Sequence, residues 1–297
     1  MGLSSEAFRR LLHEEPDLFR ASVNATAART GFSERLIEKD YFCSLILRHF
    51  SRQAVSALIF KGGTSLSKVF LEFSRLSEDL DFMLPCAVDA TKSDRSSLAA
   101  AIKPAVNSIP GAIPFFRIDE PLRGANASRQ YLASIGYQSL VDGAPEVIRI
   151  EVGLREPVLR EPVHAQVRTA LHDAGTEREA LPPFDFLCLS LEEAMAEKFR
   201  AALSREEVAG RDFYDIDIAA AKGLIDLTAD PFIELVRQKL SIPGNKPPDT
   251  SDDRVRLLRA QMQTHLKPVL RTQDFAAFDL DRPIALVRAV HDRLRDQ

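Results

Sequence analysis

Asp79 and Asp81 stand two residues apart in the segment Asp79-Leu80-Asp81-Phe82. On an extended chain residues i and i+2 share a face, so the two carboxylates point together while Leu80 and Phe82 point into a core. Adjacent like charges repel unless a cation lies between them. The pair is therefore a candidate divalent-metal site, with a solvated strand edge as the alternative for the D-x-D pattern taken alone. Upstream, Phe60-Lys61-Gly62-Gly63-Thr64-Ser65-Leu66-Ser67-Lys68 reads as a strand, a glycine pair, hydroxyls and a helix start. Glycines permit close backbone approach and a helix N-terminus offers free N–H groups. Gly62, Gly63, Thr64, Ser65 and Lys68 thus form a candidate anion cradle, with a plain tight turn as the alternative. Together the two segments set a phosphate site beside a metal site. Nucleotidyl transfer requires that combination: a metal that bridges a triphosphate and activates an incoming hydroxyl.

Glu151 is the candidate third acid. It lies on the polar face of the alternating segment 146–154, opposite Ile148, Ile150 and Val152. A carboxylate at such a position needs a partner: it serves as a metal ligand or catalytic base, or it pairs with a guanidinium such as Arg149. Lys198 falls within an apolar helical stripe, at i+4 from Ala194 and i+3 from Met195. An ammonium there finds an anion, a triphosphate or a structural carboxylate, or snorkels out. In Gly210-Arg211-Asp212-Phe213-Tyr214-Asp215, Arg211 suits a phosphate or a carboxylate, and Asp212 suits the orientation of Lys198 or of a nucleotide group. Asp212 and Asp215 also fit a helix N-terminus as acids that match the dipole.

The elements that must position these residues follow from periodicity. Residues 5–50 read as helices, with Ser33 as an N-cap. Residues 55–60 form a buried strand that runs into the glycine pair, 64–74 a helix, and 79–84 a half-buried strand. A helix is predicted over 94–108, and strands over 115–118, 131–137 and 146–154. Residues 155–185, with Pro157, Pro162, Pro182 and Pro183, read as a connection. From Ser190, where Ser190 and Glu193 match a capping box, helices are predicted over 190–204, 210–222, 231–240, 251–267 and 283–295. Residues 241–250 form a loop between them.

The chain has 297 residues, 45% of them hydrophobic and 28% charged. That is ample for two small domains and shows neither repeats nor low-complexity tracts. No apolar run approaches the roughly 18–20 residues of a membrane helix. The N-terminus is polar and charged, unlike a secretory signal, and residue 6 is Glu6 where a myristoylation site has Ser or Thr. Cys43, Cys86 and Cys188 are odd in number and far apart, which points to reduced, buried thiols and a cytoplasmic location. A net charge of −4 argues against nucleic-acid binding over the whole surface and leaves room for a local patch. Its candidates are Arg117, Arg123 and Arg129, or Arg254, Arg256, Arg259, Lys267 and Arg271, with solvated faces as the alternative for each group.

The strings FKGGTSLSKVF, RLSEDLDFML, EKFRAALSR and RDFYDI, preceded by IEKDYFCSLIL, resemble the AbiEii/MenT nucleotidyltransferase toxins. These are the toxin halves of type IV toxin–antitoxin systems, within the polymerase-β-like superfamily. The resemblance runs from Ile37 to Asp217. It implies an α+β fold: a polymerase-β-like nucleotidyltransferase core, a mixed sheet with helices, over residues 1–160. A mainly helical C-terminal domain over 161–297 contributes Lys198 and Asp212 to the site. On matching positions, Asp79 and Asp81 are the metal-binding acids and Ser77 is the serine of an R-x-S-x-D-x-D segment. Gly62, Gly63, Thr64 and Ser65 form the nucleotide-cradling turn, Lys198 contacts the triphosphate, and Asp212 is the acid of the R-D segment. The third acid is Glu151 where the superfamily commonly has Asp. The implied partners are an NTP with Mg2+ or Mn2+, RNA (the 3′ acceptor end of tRNA, whose modification blocks translation) and a cognate antitoxin.

Three classes of function are compatible with these residues. The first is an RNA-directed nucleotidyltransferase toxin, which a basic groove beside Asp79 would favour. The second is a nucleotidyltransferase acting on a protein or small molecule. The third is a catalytically silent NTP-binding module, against which the intact Asp79, Asp81 and Lys198 argue.

Overall fold

In the computed structural model the described residues are 11–53, 55 and 57–296. The start of the helical stretch expected from residue 5, and the features considered around Gly2, lie outside them. In chain order the elements are α1 (Pro16–Thr30), α2 (Glu34–Ser51), β1 (Ile59–Lys61), α3 (Gly62–Ser65), β2 (Leu80–Met83), α4 (Lys92–Ala100), α5 (Lys103–Asn107), α6 (Ile109–Ala112), β3 (Arg117–Ala125), β4 (Gln130–Gln138), β5 (Pro145–Gly153), β6 (Val163–Val167) and β7 (Phe184–Cys188). The helices α7 (Leu191–Ser204), α8 (Gly210–Ala221), α9 (Asp230–Ser241), α10 (Asp252–Gln261), α11 (Thr272–Ala277) and α12 (Asp281–Arg295) follow.

The strands form one mixed sheet in the order β3-β4-β5-β2-β1-β7-β6. β3, β4 and β5 are an antiparallel meander, β5 and β2 are parallel, β2 and β1 antiparallel, β1 and β7 parallel, and β7 and β6 antiparallel. Alternation along each strand divides the sheet's two faces. Phe60, Leu80, Phe82, Ile148, Ile150 and Val152 point to one side and share a core with Ile37, Phe42 and Ile46 of α2. Ile59 and Met83 point to the other side, into a second core with Met195 and Phe199 of α7, Ile216 of α8, Ile233 of α9 and Val287 of α12. The helical half therefore covers the second face of β1 and β2 at Ile59 and Met83.

Several expectations change at this level. Residues 155–185 do not simply connect: they hold β6 and the start of β7, which complete the sheet, so the helical part begins at Leu191. The stretch predicted as one helix over 94–108 is two short helices, α4 and α5, followed by α6, with Pro104 and Pro110 each in the first turn of a new one. α3 runs into a single π turn over Leu66–Phe70 and the chain then reverses, with Glu72 and Phe73 at φ 51° and 53°. Only half of the Ser190 capping box forms. Ser190 Oγ accepts from Glu193 N, but the Glu193 carboxylate is turned to Leu159 N, Arg160 N and the buried Lys239. The helix predicted over 251–267 is α10 followed by a π turn and a 3-10 turn, and α11 is additional. The three cysteines are free and buried, as expected. Among the described residues no helix is long and apolar enough to cross a membrane.

Candidate active site

Register places the acids. Asp81 is opposite Lys61 on β1 and opposite Glu151 on β5, so Lys61, Asp81 and Glu151 form a row across three strands on the sheet's second face. Asp79, two residues before Asp81, shares that face. The cleft they line is closed on its far side by α7, which presents Ala194, Glu197, Lys198 and Ala201 at helical spacing. Ser77, Gly62, Gly63, Arg211 and Asp212 line the same cleft, as do Arg75, Arg155, Arg200 and Arg205. Burial pushes the Asp81 carboxyl up to about 6, helped by Glu151 beside it and opposed by Lys61. Among the described residues Asp79, Asp81 and Glu151 carry no ion pair or hydrogen bond through their carboxylates, and the nearby Lys61 and Lys198 only partly offset the repulsion and burial felt at Asp81.

The glycine pair is required by contact as well as by backbone conformation. Gly62 has φ +76°, and a Cβ there would run into the Asp81 carboxylate and come within 2.8 Å of its Cβ. A Cβ on Gly63 would strike the Arg75 guanidinium and approach Ser77 Oγ to 3.3 Å. Gly62→Ala is expected to cost about 1–3 kcal/mol of stability from the left-handed backbone alone. It should also displace Asp81 and lower any activity of the cleft by roughly a hundredfold. Denaturant unfolding and turnover with the same preparation check both; a variant that matches the wild type in both would contradict the placement.

The hydroxyls of this turn serve a different purpose from that expected of a cradle. Thr64 Oγ1 donates to the Asp79 carbonyl and so anchors the start of β2. Ser65 is buried beside Cys188. Lys68 does not reach the cleft at all. Its ammonium is buried on the far side, paired with the Asp40 carboxylate and donating to Ser44 Oγ at 2.8 Å and to the Asp40 carbonyl. The π turn after α3 rotates Lys68 toward α2, and that placement removes it from any role in phosphate binding.

Lys198 meets both partners considered for it: it lines the cleft and it is ion-paired. Its Nζ lies 2.8 Å from Asp212 Oδ1 and 2.9 Å from Asp215 Oδ2. Arg75 holds Asp215 bidentately at 2.7 and 2.8 Å, and Arg205 reaches Asp212 Oδ2 at 3.2 Å. Burial disfavours the Lys198 ammonium, but Asp212 and Asp215 outweigh it and raise its pKa above the ordinary lysine value. Burial likewise disfavours both carboxylates, and the cations around them hold each below its usual range. Arg75 and Asp215 were not singled out from sequence as site residues. Their signals were present: Arg75 opens the R-x-S-x-D-x-D segment, and Asp215 is i+3 from Asp212 on the same helix face. A second buried group steadies Lys61, whose Nζ lies 2.7 Å from Glu197 Oε2; Lys239 holds the other oxygen of Glu197 at 3.2 Å.

Beyond Glu151 the cleft continues into a second recess. The two share Glu151, Arg155 and Arg200, and the recess adds Arg95, Asn126, Arg129, Gln130 and Asn245.

The comparisons with known proteins agree with this architecture. The family described as nucleotidyl transferase AbiEii toxin, type IV TA system, matches residues 45–289. Two solved structures share the fold. JHP933 from Helicobacter pylori is 16% identical, with 90% of this chain and 96% of that one covered at a TM-score of 0.51. A second H. pylori protein, described as a nucleotidyltransferase, is 15% identical, with 89% and 98% covered at 0.50. No curated protein is similar enough to be matched. With the family matched over most of its length, and with the α+β core followed by a helical region that the resemblance implied, the chain belongs to the AbiEii nucleotidyltransferase toxins of type IV toxin–antitoxin systems.

Proposed function

We propose that the protein transfers a nucleotide from an NTP to the 3′-terminal hydroxyl of an RNA, the acceptor end of tRNA, and thereby blocks translation until a cognate antitoxin restrains it. The observation that carries this reading is the row Lys61–Asp81–Glu151 with Asp79 beside it, set against a glycine turn that only a side-chain-free backbone permits. Three carboxylates outside any ion pair, one with a pKa that stays raised despite Lys61 and Lys198 nearby, are what a divalent cation relieves. Among the described residues no three acids, cysteines or histidines are arranged to hold a metal ion by themselves. Asp79 and Asp81 would hold magnesium or manganese together with phosphate oxygens, with Glu151 beside them. When bound, the metal supplies charge neutralisation at the triphosphate.

The chain's own groups have separable tasks in this reading. The Gly62–Gly63 backbone lets the triphosphate approach, and Lys198 and Arg211 line the wall it faces. The acceptor oxygen forms a bond to the α-phosphorus, the α–β bridging bond breaks, and pyrophosphate leaves. Glu151, on the side of Asp81 away from the glycine turn, would take the hydroxyl proton. Asp212 and Asp215 fix the Lys198 ammonium in its charged state.

Lys198→Ala is expected to raise the KM for NTP roughly tenfold or more, by loss of a charged contact. It should also lower stability by about 1–3 kcal/mol, less than the full cost of breaking a buried pair because Arg75 and Arg205 remain on the two aspartates. Lys198→Arg should restore stability better than binding, since a guanidinium differs in shape and hydration. An NTP titration that leaves affinity unchanged in Lys198→Ala would make the lysine purely structural. The acceptor is tested with tRNA whose terminal ribose lacks its 3′-hydroxyl: intact tRNA should be labelled from an NTP and the deoxy form should not. Equal labelling of both, or label found only on a protein or small molecule, would overturn the RNA assignment.

A further inference from the structure

Among the described residues the second face of the sheet is covered by helices over β1 and β2 but left open over the meander. On that face β5 carries Val147, Arg149 and Glu151, and β4 carries Leu132 and Ser134. Arg149 and Arg123 are exposed, and Val147 and Leu132 are 37% and 41% exposed. Register aligns Arg123, Leu132, Glu151 and Asp81 in one row across β3, β4, β5 and β2. The open face therefore leads directly to the acids. It meets the recess beyond Glu151 at Arg129 and Gln130, where the hairpin joins β4.

Charge separates this surface from the other basic candidate. Among the described residues the guanidinium groups of Arg123, Arg129 and Arg149 have no carboxylate and no hydrogen-bond partner. On α10, by contrast, Arg256 is paired with Asp253 and Arg259 with Asp281, and Arg254 is occupied by the carbonyls of Ala202 and Arg205. Nearby, Arg200 in the recess wall is held only by Asn245 Oδ1 at 3.1 Å and has a buried Nε without a partner. An acidic chain thus keeps three arginines without an ion pair on one face, where Glu120, which accepts from Ser134 in the row of Arg149, is the acid among them, beside an exposed leucine and ending at the acids of the cleft. That arrangement fits a single strand: phosphates on the arginines and an apolar platform for a base.

Resting on the RNA reading above, we infer that the open β3–β5 face and the recess beyond Glu151 seat the acceptor strand. Its backbone runs over Arg149, Arg123 and Arg129, and its terminal hydroxyl is delivered at Glu151. α10 takes no part. The NTP lies on the opposite side of Asp81, against the glycine turn, so the two substrates have separate surfaces.

The test pairs two charge reversals, Arg123→Glu/Arg149→Glu and Arg256→Glu/Arg259→Glu, with labelled NTP and total tRNA. Both pairs are exposed. In the first, the KM for tRNA should rise roughly 10–100-fold while the KM for NTP stays unchanged. The log–log salt dependence of tRNA binding should flatten by about 1.4, two single-strand contacts' worth. The second should behave as wild type in all three measurements. Wild-type tRNA KM in the first variant, or a larger loss in the second, would overturn the inference alone. Absence of RNA labelling by the wild-type protein would overturn the reading beneath it, and the inference with it. Labelling of a protein instead would likewise overturn both.

Discussion

Asp81→Asn should lose at least about a thousandfold in nucleotide transfer, because the charge that organises metal and triphosphate at the reacting centre is removed. The same substitution should make the metal-free protein more stable. In the folded chain the Asp81 carboxyl is pushed up to about 6, because it is half-buried and largely desolvated and faces Glu151. In the unfolded chain it titrates near 3.8, the ordinary aspartate value. A folded-state pKa above the unfolded one means that the native protein binds the extra proton between those values. Stability therefore falls as pH rises from about 4 to about 6 and levels off above. Asp81→Asn removes that fall and should gain about 1–3 kcal/mol at pH 7, the upper figure discounted for partial exposure. Chemical unfolding in EDTA at pH 4.5 and 7 measures it. Activity lost together with stability would mean that Asp81 supports the fold rather than the reaction. Asp79→Asn should lose activity similarly.

Arg75→Ala should produce the largest stability loss of any single change at the site, about 3–5 kcal/mol. The Arg75 side chain is 2% exposed and the Asp215 side chain 1%, and the two share a bidentate pair. Without the guanidinium, Asp215 keeps only Lys198, which is already shared with Asp212. Gly63, whose backbone packs against Arg75, also loses its support. Asp215→Asn should approach that loss in stability, because it leaves the buried Arg75 guanidinium without a carboxylate, softened only by the amide oxygen that can still accept from it. A melting temperature within a degree or two of wild type in Arg75→Ala would contradict the network.

What sequence alone could reveal here depended on the range of the interaction. Period-2 alternation sufficed to align Asp79 with Asp81 and to set Glu151 opposite Ile150 and Val152, because strand geometry is local. Helical spacing sufficed to put Lys198 on the inward stripe of α7. It could not choose between triphosphate and carboxylate partners, since Asp215 meets it only through the packing of α7 on α8. Lys68 was misplaced for the same reason. Its true partner, Asp40, lies 28 residues upstream, and the π turn that rotates it breaks the 3.6-residue period. β6 and β7 escaped notice because prolines flank both and each is only five residues long. Glu193 matched a capping box by spacing, yet the buried Lys239 and the backbone at Leu159 and Arg160 hold its carboxylate instead.

The central claim is nucleotidyl transfer by the acids on β2, and radiolabel position tests it most directly. The purified protein is incubated with magnesium, tRNA and each NTP in turn, labelled at either the α- or the γ-phosphate. The α-label should appear on tRNA with release of pyrophosphate, and the γ-label should remain in the small-molecule fraction; Asp81→Asn should show neither incorporation nor pyrophosphate. Incorporation of the γ-label, or α-labelling that survives in Asp81→Asn, would contradict the account.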